Sequence, residues 1–116
     1  MIYLKKKNIN AVTFISQKKN KVRGNHYHKK TIQWNYLLKG KITIYSKFKN
    51  KKKSIILKVG DLVVTSKNEH HAIKANKDSE FLVFTQGPRG GKEYENDTFR
   101  LDKPLVKWEN CQSLFR

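Results

Sequence analysis

The chain has 116 residues, 26 Lys and Arg against 9 Asp and Glu, and a formal net charge of +17. This length suits one domain with a modest core and excludes two, and 37% hydrophobic with 30% charged residues excludes a membrane bundle and a disordered tail. The single cysteine, Cys111, excludes an internal disulfide. A reduced, cytoplasmic protein without a secretory signal is the expectation, because no apolar segment follows the first basic residues.

The charge attracts anions in general. Only Arg23, Arg89, Arg100 and Arg116 are arginines; the other cations are lysines. Base-specific readers rely on the guanidinium fork. No helical basic region, zinc finger or aromatic RNA-binding motif is present, so specific nucleic-acid binding is not expected. The basic run over residues 47–53 reads as a solvated hairpin loop.

In chain order, residues 32–38 are rich in β-branched and aromatic types and stop at Gly40, which allows a turn. Residues 40–45 alternate apolar with polar, the period of a half-buried strand. Residues 54–59 form a further strand that ends at the Gly60-Asp61 turn signal. Residues 62–64 and 81–84 are two more, and residues 71–75 are short and extended. No sustained helical stripe appears. Short strands at close spacing predict an all-β sandwich or barrel. Residues 86–92 are a loop by composition. Beyond them Leu105, Val106, Trp108, Leu114 and Phe115 are placed to pack back onto the body.

His26-Tyr27-His28 puts two imidazoles on one face of a strand, because side chains alternate. Gln33 follows near the start of the next strand, and His71 closes the set from another. Neutral imidazole suits transition metals, so His26, His28, Gln33 and His71 are the candidate metal ligands. The competing reading is a water-filled polar cavity in which the histidines only form hydrogen bonds.

This spacing resembles the cupin superfamily. His26-x-His28, four residues, Gln33, six residues and Gly40 follow the family's first motif. Gly60-Asp61, with ten residues between Gly60 and His71, follows the second. The pattern departs where Gln33 replaces the usual carboxylate, where Ser66 and Asn68 replace Pro and Gly, and where Asn76 falls one residue late. The first motif's leading Gly is also absent at its usual distance. The resemblance implies a double-stranded β-helix, a jelly-roll barrel, as a single domain over residues 1–116. Motif 1 covers about residues 23–40 and motif 2 about residues 60–76, with residues 86–116 a loop and C-terminal extension. It also implies a divalent metal in the mouth: Zn, Fe, Ni or Mn.

The string Arg23-Gly24-Asn25-His26-Tyr27-His28 is similar to cupins of surface-polysaccharide and nucleotide-sugar biosynthesis, including the C-terminal domain of capsular-polysaccharide reductases. Their relatives are 3,5-epimerases and 3,4-ketoisomerases of nucleotide-linked keto-deoxysugars. Such a reaction removes a proton beside a carbonyl and stabilises the enolate. His70, or one of the three candidate ligands if no metal binds, is the expected base. Tyr36 is expected to return a proton from the opposite side, with Trp34 beside it against substrate. Both aromatics read equally well as barrel core or dimer contact. Arg23, Lys29, Arg89 and Lys92 are the expected clamp on the pyrophosphate, and the glycine loop 87–91 a cover. Two other readings stand. One is a non-catalytic metal- or sugar-binding cupin, favoured by the lack of a carboxylate in the candidate set; the other is a metal-dependent oxygenase. Exposed sheet edges predict a homodimer, and no membrane partner is expected.

Overall fold

A computed structural model describes residues 7–88 and 91–107. The strands are β1 (Ala11–Gln17), β2 (Val22–Tyr27), β3 (Ile32–Lys39), β4 (Ile42–Phe48), β5 (Lys51–Leu57), β6 (Leu62–Thr65), β7 (His70–Ala75), β8 (Ser79–Gln86) and β9 (Phe99–Arg100). One short helix, α1 (Gly91–Asn96), precedes β9. The strands form two antiparallel sheets, of order β1-β8-β3-β6 and β5-β4-β7-β2-β9. This is the expected all-β jelly roll. It lengthens most of the expected strands, shifts those expected at 40–45 and 54–59 to Ile42–Phe48 and Lys51–Leu57, and adds β1, β9 and the helix.

Alternation along paired strands stacks the interior in layers. In the first sheet, Ile15, Phe81 and Leu37 stand side by side, facing Ala75, Ile42 and Leu57 of the second. Phe81, Leu37, Ile42 and Leu57 are fully buried, and each contributes on the order of 2 kcal/mol by leaving water. One layer up are Val83 and Asn35, then Thr85, Gln33 and Thr65 in one row. The second sheet changes in parallel, from Ile44 and Ile73 to Ser46 and His71. The barrel is therefore apolar at one end and polar at the other.

The lysine run is a solvent-exposed hairpin, as expected, but most of it is strand rather than loop. Lys47 and Phe48 end β4, and Lys51, Lys52 and Lys53 begin β5. Only Lys49 and Asn50 make the turn, both at positive φ (49° and 67°). That is the geometry of a two-residue type I′ hairpin, whose twist matches the strands it joins.

Gly40 and Gly60 both occupy positive φ, 90° and 94°, for different reasons. A Cβ on Gly40 would collide with the Asp78 carbonyl and Ser79, whereas one on Gly60 would meet nothing within 4 Å. Gly60→Ala should cost about 1 kcal/mol, the conformational penalty alone, and Gly40→Ala at least about 2 kcal/mol more. Urea unfolding of the two variants checks this; equal midpoints would show that the close approach at Gly40 carries no weight.

Candidate active site

A β-bulge builds the site. Between Gly24 and His26 the β2–β7 register shifts, with Gly24 at φ 93° and Asn25 at φ 57°. Arg23 pairs with Ile73 on the face turned toward the histidine cavity and is itself exposed at its edge. Unbroken alternation from Arg23 would send His26 outward, and the extra residue turns it back in beside His71. A side chain at Gly24 would press on the His71 carbonyl at 3.0 Å, so glycine lets the two strands close. Asn25 is buried and ties down the C-terminal segment. Its Oδ1 accepts from Leu105 and Val106 N–H at 2.9 and 3.3 Å, and its Nδ2 donates to the Val106 carbonyl at 3.0 Å. Leu105 and Val106 do pack back; Trp108, Leu114 and Phe115 lie outside the described residues.

His26, His28 and His71 converge. Ring centroids are 4.7 Å apart for His26–His28 and for His26–His71, and 5.5 Å for His28–His71. The potential ligand atoms all lie within 4.8 Å of one another. Gln33 lines the same small cavity, of about 30 Å³, with His26 and His71. The four residues of the candidate ligand set therefore meet at one place.

Two of the rings are held in a defined tautomer. His71 Nδ1 lies 3.1 Å from the Glu69 carbonyl and His28 Nδ1 lies 2.9 Å from the Asp97 carbonyl. A carbonyl only accepts, so both Nδ1 atoms carry the proton and Nε2 is the basic nitrogen. Burial, followed by the charges of His71, His28, Arg100 and Arg23, pulls His26 down to about 3. Burial pulls His71 down to about 4 although the Glu69 carbonyl opposes it, with His28 and His70 adding to the fall. Both are neutral at pH 7.

The sequence reading missed the clamp that surrounds these rings. Asp97 Oδ1 accepts the Lys29 and Lys30 N–H groups at 3.0 Å each, and its Oδ2 accepts the Thr31 hydroxyl at 2.7 Å. Burial would raise the Asp97 carboxyl, but the Thr31, Lys30 and Lys29 donors outweigh it and hold it below its usual value. The clamp fixes α1 against the β2–β3 turn and places Tyr94 5.4 Å from the His28 ring, where it lines the histidine cavity. No local signal marks Tyr94: it sits in a short charged stretch, and only the fold carries it to the site. Glu69 was missed for the same reason. Its carbonyl orients His71, and its carboxylate accepts the Ser66 N–H at 2.9 Å.

Other expected site residues fall elsewhere. Tyr36 and Trp34 alternate with Gln33 and Asn35, so they lie on the outer face of the first sheet, beside Leu62 and Leu82 and beside Val64 and Phe84. Neither aromatic reaches the cavity, which corrects their assignment to proton return and substrate contact. His70 alternates with His71 and stacks outside the barrel on Tyr27 at 4.8 Å, so it is not placed as the base. Burial, then Lys47, holds it below its normal value. Lys29 lies over the Phe99 ring at 4.5 Å, on that same outer cluster, and Lys92 is exposed on α1. Of the expected clamp residues only Arg23 lines the cavity; Arg89 lies outside the described residues.

The cupin-domain family model matches residues 13–85, more than half of the chain. The chain belongs to the cupin family. No curated protein matches the sequence. Among solved structures it is similar to the 3,4-ketoisomerase QdtA from Thermoanaerobacterium thermosaccharolyticum, a double mutant in complex with TDP. That match has 25% identity and TM-score 0.69, covering 80% of this chain and 67% of the other. The dTDP-4-dehydrorhamnose 3,5-epimerase from Sulfolobus tokodaii matches at 15% identity and TM-score 0.68, over 90% of this cupin and 65% of that chain. The capsular polysaccharide assembling protein CapF from Staphylococcus aureus matches at 19% and 0.65, over 79% of this cupin and 26% of that chain. The last two likenesses concern the fold alone.

The buried neutral histidines make stability depend on pH. Unfolded His71 titrates near 6.5 and folded His71 near 4. Below pH 6.5 the unfolded chain therefore takes up the proton first, and stability falls until the folded ring also titrates. His71 and His26 should each contribute a loss on the order of 1 kcal/mol per pH unit between about 6.5 and 4.5, above the range in which Asp97 contributes. Urea midpoints of the chelator-treated protein across this window test it. His71→Gln should reduce the slope by about half, His26 supplying the rest; an unchanged slope would mean that the His71 ring is not desolvated.

Proposed function

We infer that this cupin moves a proton beside the carbonyl of a nucleotide-linked keto-deoxysugar, and so isomerises or epimerises it. The observation that carries the reading is the set of three converging imidazoles, two with tautomers that leave Nε2 basic. The ketoisomerase likeness supports the substrate class.

The chemistry follows from the groups at hand. A neutral imidazole takes the proton from the carbon next to the carbonyl. The imidazolium so formed lies beside the developing oxyanion and stabilises it, and the Gln33 amide supplies a neutral donor from the facing sheet. Return of the proton to the former carbonyl carbon, with transfer of the hydroxyl proton between the two oxygens, relocates the carbonyl. Return to the original carbon from the other side inverts it. Tyr94 lines the cavity as a second proton carrier in place of Tyr36. No electron acceptor is required.

The same three imidazoles fit a divalent transition metal by donor type, protonation and closeness. His26, His28 and His71 would hold it with Gln33 nearby, and a bound ion would supply Lewis acidity at the carbonyl oxygen. Homodimerisation fits the outer face of the first sheet. Two cross-strand rows, Val12-Phe84-Trp34-Val64 and Phe14-Leu82-Tyr36-Leu62, carry no charge, and Val12 and Phe14 are each 57% exposed. A chain of charge +17 meets its own copy best on such a face. No helix among the described residues is long and apolar enough to cross a membrane, and a cytoplasmic setting fits a nucleotide-sugar substrate.

Incubation with TDP-linked 4-keto-6-deoxysugars in deuterated water tests the reading by mass and NMR spectra. Solvent deuterium should enter carbon next to the carbonyl. His71→Gln should reduce incorporation by about a hundredfold or more, the usual contribution of a general base. No incorporation across a panel of keto-sugars would leave a non-catalytic metal- or sugar-binding cupin.

A further inference from the structure

Beside the histidines lies a larger cavity, of about 330 Å³, lined by Ser46, Phe48, Lys51, Lys53, Ser66 and Glu69. Two of its lining residues contact His71. Ser46 is paired with His71, and Glu69 holds the His71 ring. The histidine cavity itself has room for little more than a water, whereas 330 Å³ is within the range of small-ligand sites, about 300–1,000 Å³.

Its cations are placed there by strand alternation. The inner positions of β5 are Leu57, Ile55, Lys53 and Lys51, opposite Ile42, Ile44, Ser46 and Phe48 of β4. The Leu57–Ile42 pair is apolar core, and Ile55, 42% exposed, lies at its edge opposite Ile44. The upper pairs put Lys51 and Lys53 on the side of the hairpin that lines this cavity, where both side chains remain exposed to solvent and within reach of an incoming anion. Among the described residues neither Lys51 nor Lys53 forms an ion pair, the two pairs being Lys18–Asp78 and Arg100–Glu95. Lys52 lies between them and faces outward, paired with Lys47. Phe48 adds an aromatic face at the rim, 44% exposed.

We propose that this cavity binds the nucleoside diphosphate of the substrate, with the diphosphate on Lys51 and Lys53 and the base on Phe48. The assignment rests on the nucleotide-sugar reading and places the pyrophosphate clamp on β5, away from Lys29 and Lys92. Two ammonium groups neutralise a diphosphate without a fixed fork. A phenyl ring stacks on any base, so Phe48 contributes affinity with little base selectivity. The reacting sugar then extends toward His71.

Lys52 supplies the control, because Lys52→Ala removes the same charge from the same strand on the opposite face. Calorimetric titration of the full chain with TDP and with inorganic pyrophosphate, at about 150 mM salt, separates these contributions. Lys51→Ala/Lys53→Ala should weaken both ligands by about tenfold or more, and Lys52→Ala by less than about twofold, as expected for an exposed charge. Phe48→Ala should weaken TDP and leave pyrophosphate unchanged. Lys51→Gln/Lys53→Gln, which keeps the side-chain length, should match the alanine pair and so exclude a folding defect. Equal losses from Lys52→Ala and the double variant would overturn the proposal, as would undiminished binding by the double variant or no binding to the parent protein. Keto-sugar turnover with affinity unaffected by Lys51 and Lys53 would remove this subsite and leave the proton-transfer reading intact. Binding that depends on Lys51 and Lys53 without deuterium exchange would do the reverse.

Discussion

The bulge at Gly24–Asn25 sets the direction in which His26 points, and with it the existence of a three-imidazole site. A regular strand offers two faces and no choice between them: the residue next but two after an inward position points out. One extra residue in β2 reverses that parity after Arg23, so Arg23, His26 and His28 are all directed inward. The cost is local: two consecutive residues at positive φ, one of them a non-glycine. The Asn25 side chain offsets it with three hydrogen bonds to the 105–106 segment. Site geometry and C-terminal docking are thus held by the same two residues.

The polarity gradient along the barrel explains how such a site is tolerated. Desolvated imidazoles and amides contribute little to folding, and those left neutral still lose hydration. The layers around Leu37, Ile42, Leu57 and Phe81 supply the apolar burial from the other end. The polar end is secured by directional bonds instead: Asp97 on the β2–β3 turn, Glu69 on the β6–β7 turn, and the 2.6 Å bond from Asn68 N–H to the His28 carbonyl. The backbone carbonyls of the same Asp97 and Glu69 hold the His28 and His71 rings in fixed tautomers, so the residues that stabilise this end are the ones that set its chemistry.

Charge is distributed over the molecule by strand parity. The outer face of the first sheet carries two uncharged apolar rows, although charged residues make up 30% of the chain. The β4–β5 hairpin carries cations on both faces, and only the inward pair reaches a cavity. A net charge of +17 does not distinguish Lys51 from Lys52; a one-residue difference in register does.

The sequence by itself determined the all-β class, most strand positions, the turns at Gly40 and Gly60, and the candidate ligands His26, His28, Gln33 and His71. It did so because alternation, turn chemistry and motif spacing are local, and a strand's period is written in neighbouring residues. Only the tertiary structure decided that Trp34 and Tyr36 face outward, that His70 lies outside the barrel, and that Tyr94, Asp97 and Glu69 support the site. Which face of a strand is the inside depends on the sheet packed against it. Contacts such as Asp97 with Lys29, Lys30 and Thr31 join segments more than 60 residues apart in the chain, and no local pattern records that closure.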